Sequence, residues 1–390
     1  MSGDAKSKKK VCHVGRASSI LVQRWVNYFA ERGWEVDIIT FEPAEKKFLH
    51  SDIRQHVVNP GKIPFIGFIR AYLGVKKHLK RIKPDIIHAH SIPAYGIYVG
   101  LYSKKGGKEP YIQAAWGFHH IEIDKGYKRK LDKLCLERAE VITTTSDDLK
   151  IALVKNLQAD ESKFRVFSWG IDLNIFRLNY KEELEKLRKE LDIRSGAPVI
   201  ISPRNMAPYY RIQNIVKAVP KVLKAHPESV FIFLRGYGSE EFERKMKEEA
   251  KNLDIEKNTR FISGLLTPEE MAIYLNLADI SISISKTDQL SSVLLESMVC
   301  NAFPILSDIA IYKKYITSEK NGLFVSGNNP DEIANAVIQC LNNKAFMERA
   351  YDINSKFIKE SENWHVNSKK MENIYMELLV TEQKKSTKPI

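Results

Sequence analysis

Residues 280–308 constrain the fold of this chain more than any other stretch. They open with alternating isoleucine and serine, and this period of two predicts a strand. Residues 286–292 form a polar segment whose serines are suited to cap a helix. The apolar spacing over 293–299 then predicts that helix, and 303–306 predicts the next strand. In open parallel sheets a loop between a strand end and a helix N-terminus binds ligands, and its free backbone N–H groups suit a phosphate.

Two acidic residues fall in this stretch. Asp288 lies in the predicted loop, and Glu296 follows eight residues later on the predicted helix. Asp288 could accept hydrogen bonds from a sugar, and Glu296 could accept them from a ribose diol. Alternatively, both carboxylates only stabilise the positive end of the helix. The spacing by itself leaves both interpretations open.

Length and composition indicate a globular protein of two domains. The chain has 390 residues, of which 44% are hydrophobic. It contains no run of eighteen apolar residues, and its lysine-rich start lacks the apolar core of a signal peptide, so we expect a cytoplasmic protein. Its cysteines have neither metal-site nor disulfide spacing, which predicts buried free thiols in a reducing compartment. These are Cys12, Cys135, Cys300 and Cys340.

The formal net charge of +13 suits an anionic partner. Nucleic acid, an anionic membrane surface and a phosphorylated substrate would all be attracted by it. The sequence has no zinc finger, no aromatic RNA-binding motif and no basic-aromatic repeat, so nucleic acid is not expected. A surface charge that only aids solubility is a further alternative.

Residues 65–83 are predicted to form an amphipathic helix with a basic outer face. One interpretation is a crossover helix that packs on a sheet and exposes its basic face to water. The other is contact with an anionic membrane, to which each basic residue near the surface would contribute about 1 kcal/mol. The residues predicted to share the apolar face are Phe65, Phe68, Ile69, Tyr72, Val75, Leu79 and Ile82.

Strands and helices alternate along both halves of the chain, which predicts an α/β fold with two doubly wound parallel sheets. The loop after the first strand, at Gly15 and Arg16, has no G-x-G-x-x-G pattern, so a dinucleotide is not indicated. His119 and His120 follow the strand predicted at 110–115. Adjacent side chains point in different directions, so this pair alone is not a metal site. His119 either lines an acceptor cleft or is a loop histidine that bonds to backbone.

The central stretch resembles the signature region of the family 4 retaining glycosyltransferases. That signature has an acid, seven residues, a glutamate, a small-residue helix and a strand like Pro-Val-Ile. Here Asp288 takes the place of the usual first glutamate, and Gln289 and Asn301 stand where the family has glycines. The segments PDIIHAHS, ERAEVITTTSDDL and VFSWGIDLNIF of the first half also resemble this family.

The resemblance implies the GT-B fold, in which two Rossmann-like domains face a central cleft. It implies an acceptor domain over 1–175, a nucleotide-sugar domain over 176–363 and a crossover helix at about 364–382. It also implies that Asp288, Arg204 and His119 are catalytic. The donor would be bound by Gly15, Arg16, Arg204, Arg211, Gly236, Asp288, Gln289, Leu290, Ser291, Ser292 and Glu296.

Arg204 would pair with the diphosphate of the donor, since arginine binds phosphate bidentately. The lysine that follows this arginine in the family is missing, and Arg211 is its expected replacement. No Asp-x-Asp pair lies in a loop after a strand to hold a divalent ion. We therefore expect transfer without a metal or other cofactor, with the leaving phosphate serving as base.

The predicted activity is retaining transfer of a hexosyl group from a UDP- or GDP-sugar. The acceptor would be lipid-linked, a glycan or part of the cell envelope, and the enzyme would contact the inner face of the membrane through 65–83. Three alternatives remain: a nucleotide-sugar epimerase of GT-B fold, a non-catalytic nucleotide-sugar-binding subunit, and, from charge alone, a DNA-modifying glucosyltransferase.

Overall fold

The structure, a computed structural model, describes residues 8–116, 126–288 and 291–386. The chain divides into two compact units. The N-terminal unit comprises Met1–Ser168 and Val366–Ile390, and the C-terminal unit comprises Trp169–His365. Each unit is built on one parallel sheet, so the predicted α/β class with two Rossmann-like domains is confirmed.

The N-terminal sheet has seven strands in the order β3-β2-β1-β4-β5-β6-β7. All the pairings between them are parallel. The strand order reverses between β1 and β4, and such a switch point opens a crevice at the carboxyl ends of the strands. The strands are β1 Lys10–Val14, β2 Glu35–Thr40, β3 Arg54–Val57, β4 Ile86–His90, β5 Tyr111–Ala114, β6 Val141–Thr144 and β7 Phe164–Val166.

The C-terminal sheet has six strands in the order β10-β9-β8-β11-β12-β13, again with parallel pairing. Its order reverses between β8 and β11. The four residues of β11 and the five of β12 are all buried, because helices cover both faces of the sheet. The strands are β8 Val199–Ser202, β9 Val230–Leu234, β10 Thr259–Ile262, β11 Ile280–Ser283, β12 Phe303–Ser307 and β13 Leu323–Val325.

Helices connect the strands and bury an apolar stripe against the sheets. They are α1 Ile20–Glu31, α2 Pro64–Ile82, α3 Gly96–Lys104, α4 Tyr127–Glu137, α5 Asp147–Leu157, α6 Lys181–Glu190, α7 Ile212–Ala225, α8 Glu240–Asn252, α9 Pro268–Leu277, α10 Ser292–Val299, α11 Pro330–Leu341, α12 Lys344–Ser361 and α13 Trp364–Ser386. In the part of the chain that the structure describes, none of them is long and apolar enough to cross a membrane.

The sequence patterns miss four elements and misplace one. Strand β3 has the residues Arg-Gln-His-Val at the edge of the sheet, without an apolar face that alternation could reveal. Helices α6, α8 and α12 are rich in charge, and their spacing does not predict them. The residue pattern after β4 predicts a helix from Ser91, but α3 begins at Gly96, after a cis Ile92–Pro93 bond.

Helix α2 buries the predicted face over its C-terminal half but not at its start. The spacing assigns Phe65 and Ile69 to the apolar core face, but Phe65 is 75% exposed and Ile69 is 42% exposed. Small residues are buried in their place, because the preceding loop of the chain lies close to the helix there. A Cβ on Gly67, for example, would lie 3.1 Å from the carbonyl oxygen of Pro60. The buried residues are Gly67, Ala71, Val75, Leu79 and Ile82.

Candidate functional site

Arg204 and Asp288 meet at the switch point of the C-terminal sheet. Arg204 follows β8 and Asp288 follows β11, and these two strands are neighbours. The Nη2 atom of Arg204 lies 2.9 Å from Oδ2 of Asp288, with side chains only 9% and 5% exposed. The structure therefore joins two of the predicted site residues in a buried ion pair.

Two hydroxyl groups complete the surroundings of the Asp288 carboxylate. The hydroxyl of Tyr312 donates to Oδ2 at 2.6 Å, and Oγ of Ser285 donates to the same atom at 3.3 Å. Ser285 is itself held by Ser307, whose hydroxyl donates to the Ser285 carbonyl at 2.8 Å. The carboxylate is thus fixed from three directions at the ends of β11 and β12.

The pKa values reflect this coupling. Burial alone would lower the pKa of the Arg204 guanidinium, but the Asp288 carboxylate helps raise it above its ordinary value. Burial raises the pKa of the Tyr312 hydroxyl, and the nearby Asp288 carboxylate raises it further. Arg204 is therefore a permanent cation, and Tyr312 remains a neutral hydrogen-bond donor at neutral pH.

Two tyrosines hold the loop after Arg204 against the loop before Asp288. The guanidinium of Arg204 lies over the ring of Tyr210, 4.4 Å from its centroid. The hydroxyl of Tyr209 donates to the carbonyl of Thr287 at 2.6 Å, and the Lys286 amide donates to the Tyr209 carbonyl at 3.3 Å. The two tyrosines thereby fix the approach of Arg204 to Asp288.

Helix α10 begins beside this ion pair. Its N-cap residue, Ser291, accepts a hydrogen bond from Nη1 of Arg204, and its side chain caps no backbone amide. The first amides of a helix have no partner within the helix and carry positive partial charge. Ser292 is the first helical residue, and Glu296 lies one turn further in, 9% exposed. The predicted site residues Gln289 and Leu290 lie outside the described residues.

Arg211 reaches the same edge of the sheet from the start of α7. Its Nη1 atom lies 3.4 Å from the carbonyl oxygen of Ile284 and 3.4 Å from that of Ser326. These carbonyls follow β11 and β13, so the Arg211 charge lies over the carboxyl ends of these strands. The backbone of Arg211 is left-handed, with φ of 53°.

Gly236 brings the loop after β9 against the loop that carries Arg204. It has φ of +54°, and an added Cβ would clash with Oδ1 of Asn205. That oxygen accepts a hydrogen bond from the Tyr237 amide at 3.1 Å. Gly236 therefore positions the residue next to Arg204.

The remaining predicted site residues belong to the N-terminal unit. The Gly15 amide donates to the Ile39 carbonyl at 3.1 Å, at the end of β1. Arg16 forms an exposed ion pair of 2.9 Å with Glu42. His119 lies outside the described residues.

In the C-terminal unit, the site thus combines a buried arginine, a fixed carboxylate and a helix N-terminus. Cations together with free amides suit a phosphate or diphosphate, and a fixed carboxylate suits the hydroxyl groups of a sugar. Sequence reasoning missed Tyr312, Ser285 and the stacking role of Tyr210. Tyr312 lies 24 positions after Asp288, and no local pattern links the two.

Known proteins share this sequence pattern and fold. The family model for Glycosyl transferase 4-like proteins matches residues 10–146, and that for Glycosyl transferases group 1 matches residues 183–364. These matches together cover most of the chain. An uncharacterized glycosyltransferase of Methanocaldococcus jannaschii is 24% identical over 313 residues, which are 78% of this chain and 76% of that protein.

Two further proteins are similar to this chain. The alpha-monoglucosyldiacylglycerol synthase of Streptococcus pneumoniae is 26% identical over 332 residues, which are 77% of this chain and 71% of that protein. The crystal structure of Anabaena HepE in complex with UDP-glucose superposes with a TM-score of 0.79 at 12% identity, over 94% of this chain and 99% of that one. At this level of identity the likeness shows the fold alone.

The fold and the family matches define the class of protein as a glycosyltransferase of GT-B fold. The chain belongs to family 4 of the glycosyltransferases, as its signature region indicated.

Proposed function

We propose that this protein transfers a hexosyl group from a UDP- or GDP-sugar to a lipid-linked or glycan acceptor, with retention of the anomeric configuration and without a metal ion. The observation that carries the proposal is the buried Arg204–Asp288 pair at the N-terminus of α10. It provides a cation and a helix end for a diphosphate beside a fixed carboxylate for a sugar.

Each group of the site has a role in this reaction. Negative charge accumulates on the leaving diphosphate as the anomeric C–O bond breaks, and Arg204, Arg211 and the first amides of α10 would stabilise it. Asp288 would accept hydrogen bonds from the hydroxyl groups of the sugar, and Glu296 from the ribose. The released phosphate oxygen would take the proton of the acceptor hydroxyl as the new bond forms on the same face of the sugar.

The Arg204–Asp288 pair has a consequence for donor binding. Before the donor binds, the Asp288 carboxylate neutralises Arg204 at 2.9 Å. A diphosphate would offer Arg204 a second anion, so the guanidinium would be shared between phosphate and carboxylate. Tyr312 and Ser285 would keep Asp288 in place while Arg204 turns towards the phosphate.

Two of the similar proteins support the choice of substrates. HepE has been crystallised with UDP-glucose, which supports a nucleotide sugar as donor. The pneumococcal relative is named as a synthase of a glucosyldiacylglycerol, which supports a lipid acceptor. We assign the acceptor to the N-terminal unit and the donor to the C-terminal unit.

Thermal stabilisation by a panel of nucleotide sugars would test the donor site. A donor at 100 times its Kd should stabilise the protein by about 2.7 kcal/mol, which a melting curve detects. The shift should disappear in Glu296→Ala and persist in Glu248→Ala, which removes an exposed glutamate of α8. If no nucleotide sugar or free nucleotide raises the melting temperature, the proposed donor site is wrong.

Product analysis would then separate transfer from the alternatives. With the stabilising donor and a lipid acceptor, we expect a glycolipid whose new linkage has the donor's anomeric configuration, formed equally in EDTA. Release of free sugar and nucleotide without an acceptor would instead support an epimerase. Donor binding without any turnover would support the binding subunit.

The outer face of α2 supports contact with an anionic membrane. Apolar side chains are exposed in its first half, with Phe65 75% and Leu73 55% exposed. Basic residues lie on the exposed surface of the same helix, among them Arg70, Lys77 and Lys80. Apolar side chains could enter the lipid interface while the lysines and arginines bind anionic headgroups.

Co-sedimentation with anionic vesicles at low salt tests this contact. We expect the wild-type protein to pellet and Phe65→Ser to remain largely in solution. Ile353→Ser is a matched control, because it removes an exposed apolar side chain from α12. If the wild-type protein does not pellet, the proposed membrane contact is wrong, whatever the outcome of the donor experiment.

A further inference from the structure

Three buried histidines lie together on one face of the N-terminal sheet, at the switch point between β1 and β4. His13 and His88 are register partners on these adjacent strands, and His90 lies two residues beyond His88 on the same face. All three are at most 1% exposed. When one ring nitrogen is taken from each histidine, the three atoms all lie within 4.8 Å of one another. We call these residues the histidine cluster.

Each ring of the histidine cluster has an unsatisfied nitrogen. Nδ1 of His13 and Nε2 of His90 lie 2.9 Å apart and share one hydrogen. Nε2 of His13, Nδ1 of His90 and Nε2 of His88 are buried and have no hydrogen-bond partner among the described residues. Buried polar atoms are rarely left without a partner. The unpartnered nitrogens of His13 and His90 lie on the far sides of the two rings, so one ion cannot bind both. A single ion would instead take the two facing nitrogens, in place of the hydrogen that they share, together with a nitrogen of His88.

Imidazole rings suit a transition-metal ion. Neutral imidazole is the form that binds metals. A set of nitrogen donors favours zinc, nickel, copper or iron, whereas magnesium and calcium prefer oxygen ligands.

Aromatic neighbours fix the orientation of the rings. The hydroxyl of Tyr375, on α13, lies 2.8 Å from Nδ1 of His88. Phe29 stacks on Tyr375 with ring centroids 4.3 Å apart, and Trp116 meets His90 edge-on at 5.9 Å. Metal-binding histidines commonly use their second nitrogen in a hydrogen bond of this kind, which orients the ring. The bond at Nδ1 leaves Nε2 of His88 available as a ligand.

We propose that His13, His88 and His90 bind one first-row transition-metal ion, with Zn²⁺ as the ion of best fit. Three histidines with a fourth position for a small ligand are an established zinc geometry. The three nitrogens are uncharged, so hydroxide or another small anion would occupy that fourth position. The ion would link β1 to β4, and through Tyr375 it would link them to α13. The predicted metal independence concerns glycosyl transfer and is a separate question.

Cobalt binding to the full chain tests the proposal without measuring transfer. The protein is stripped with a chelator, dialysed and titrated with Co²⁺, whose visible absorption is strong in a four-coordinate site and weak in a six-coordinate one. We expect one equivalent of Co²⁺ with strong absorption, its displacement by Zn²⁺ and no displacement by Mg²⁺. Zn²⁺ should also raise the melting temperature of the stripped protein.

Variants locate the bound ion. His13→Gln and His90→Gln should abolish the strong absorption, whereas His365→Gln, which removes a histidine that is 46% exposed on its side chain, should leave it unchanged. Tyr375→Phe keeps the ring and removes only the bond to His88. It should weaken Co²⁺ binding about 10- to 100-fold.

Several results would overturn the proposal. The first is that the wild-type protein binds less than about one tenth of an equivalent of Co²⁺. The second is that bound Co²⁺ shows only weak absorption, and the third is that His13→Gln binds Co²⁺ as well as the wild-type protein does. Should the histidine variants not fold, the wild-type stoichiometry and spectrum together with Tyr375→Phe decide the question. Failure of the proposed donor site would not change Co²⁺ binding, because the donor site and the histidine cluster lie in different units. Failure of the proposed function is therefore distinguishable from failure of the metal proposal.

Discussion

The hydroxyl of Tyr312 donates a hydrogen bond of 2.6 Å to Oδ2 of Asp288, the oxygen that also receives Nη2 of Arg204. One carboxylate oxygen is thus shared by a neutral donor and a cation, both buried. This arrangement fixes the carboxylate independently of Arg204. The tyrosine therefore acts as a positioning residue for Asp288.

Tyr312→Phe should destabilise the protein by about 1.5 to 3 kcal/mol, because a buried carboxylate loses a hydrogen bond. Donor affinity should fall as well, since Asp288 is then held only by Arg204 and Ser285. Urea unfolding and thermal shifts with the donor measure the two effects. Tyr274→Phe, in a half-buried tyrosine of α9, is the control. Unchanged stability and unchanged donor affinity in Tyr312→Phe would contradict the positioning role.

The ion pair of Arg204 and Asp288 should be strongly coupled. Arg204→Met should cost about 3 to 5 kcal/mol, because it leaves a buried carboxylate without its cation. The double variant Arg204→Met/Asp288→Asn should cost less than the sum of the two single variants, and urea unfolding of all four proteins gives the coupling energy. All variants in this cycle should bind the donor poorly.

An exposed ion pair provides the matched control for that cycle. Arg194 and Glu228 lie 2.7 Å apart, but their side chains are 77% and 55% exposed. Arg194→Met should therefore cost less than about 1 kcal/mol. Additive effects in the Arg204–Asp288 cycle, or equal losses at the two arginines, would show that the buried pair is not coupled as its geometry predicts.

The stability of the N-terminal unit should depend on Asp37 at acid pH. Burial alone would raise the pKa of this carboxyl, but hydrogen bonds from His56 and Arg54 lower it from 3.8 to about 2. The unfolded chain therefore binds this proton first as the pH falls. The stabilisation is complete above about pH 4 and is lost between about pH 4 and pH 2, with a total of about 2 kcal/mol.

Urea unfolding at a series of pH values measures this contribution. Asp37→Asn should be less stable than the wild-type protein at pH 7, and the difference should shrink as the pH falls towards 2. Asp52→Asn changes an exposed aspartate of the same unit and should leave the wild-type pH dependence intact. A constant difference between Asp37→Asn and wild type across this range would contradict the pKa assignment.

Gly236→Ala should disturb the loop that carries Arg204. The new Cβ would clash with Oδ1 of Asn205, and φ of +54° is itself unfavourable for alanine. Gly264→Ala separates these two effects, because Gly264 has φ of +95° but no atom within 4 Å of the position that a Cβ would take. We expect Gly264→Ala to lower stability by about 1 to 2 kcal/mol and to keep donor affinity.

The contrast between the two glycines lies in donor binding. Gly236→Ala should lower both stability and donor affinity, because displacement of Asn205 moves the neighbouring Arg204. Melting curves with and without the donor measure both quantities for each variant. Equal donor affinity in the two variants would show that the Gly236–Asn205 contact does not position Arg204.

Local sequence patterns predicted the elements that form the site. The serine and isoleucine alternation of β11, the helix at α10 and the strand at β12 all lie where the residue spacing placed them. A fully buried parallel strand and a helix face are encoded by residues within one element, so a single sequence is sufficient to reveal them. The alternation of these elements also gave the correct α/β class.

Sequence patterns were less informative where contacts with residues distant in the chain decide which face of an element is buried or whether a strand forms. The prediction for the buried face of α2 is wrong at Phe65 and Ile69. The spacing of the large apolar residues does not show that the small residues Gly67 and Ala71 are the buried ones there. Strand β3 was missed because its edge position requires no apolar alternation.

By itself the sequence determined the two sheets, the position of the loop with Asp288 and, through its resemblance, the family. These depend on short-range periodicity and on motifs whose members are close in the chain. Only the tertiary structure decided which groups meet: Tyr312 and Arg204 on one oxygen of Asp288, and His13 with His88 and His90 on one sheet face. Parallel strands require long crossover connections, so residues distant in the sequence become neighbours at the strand ends.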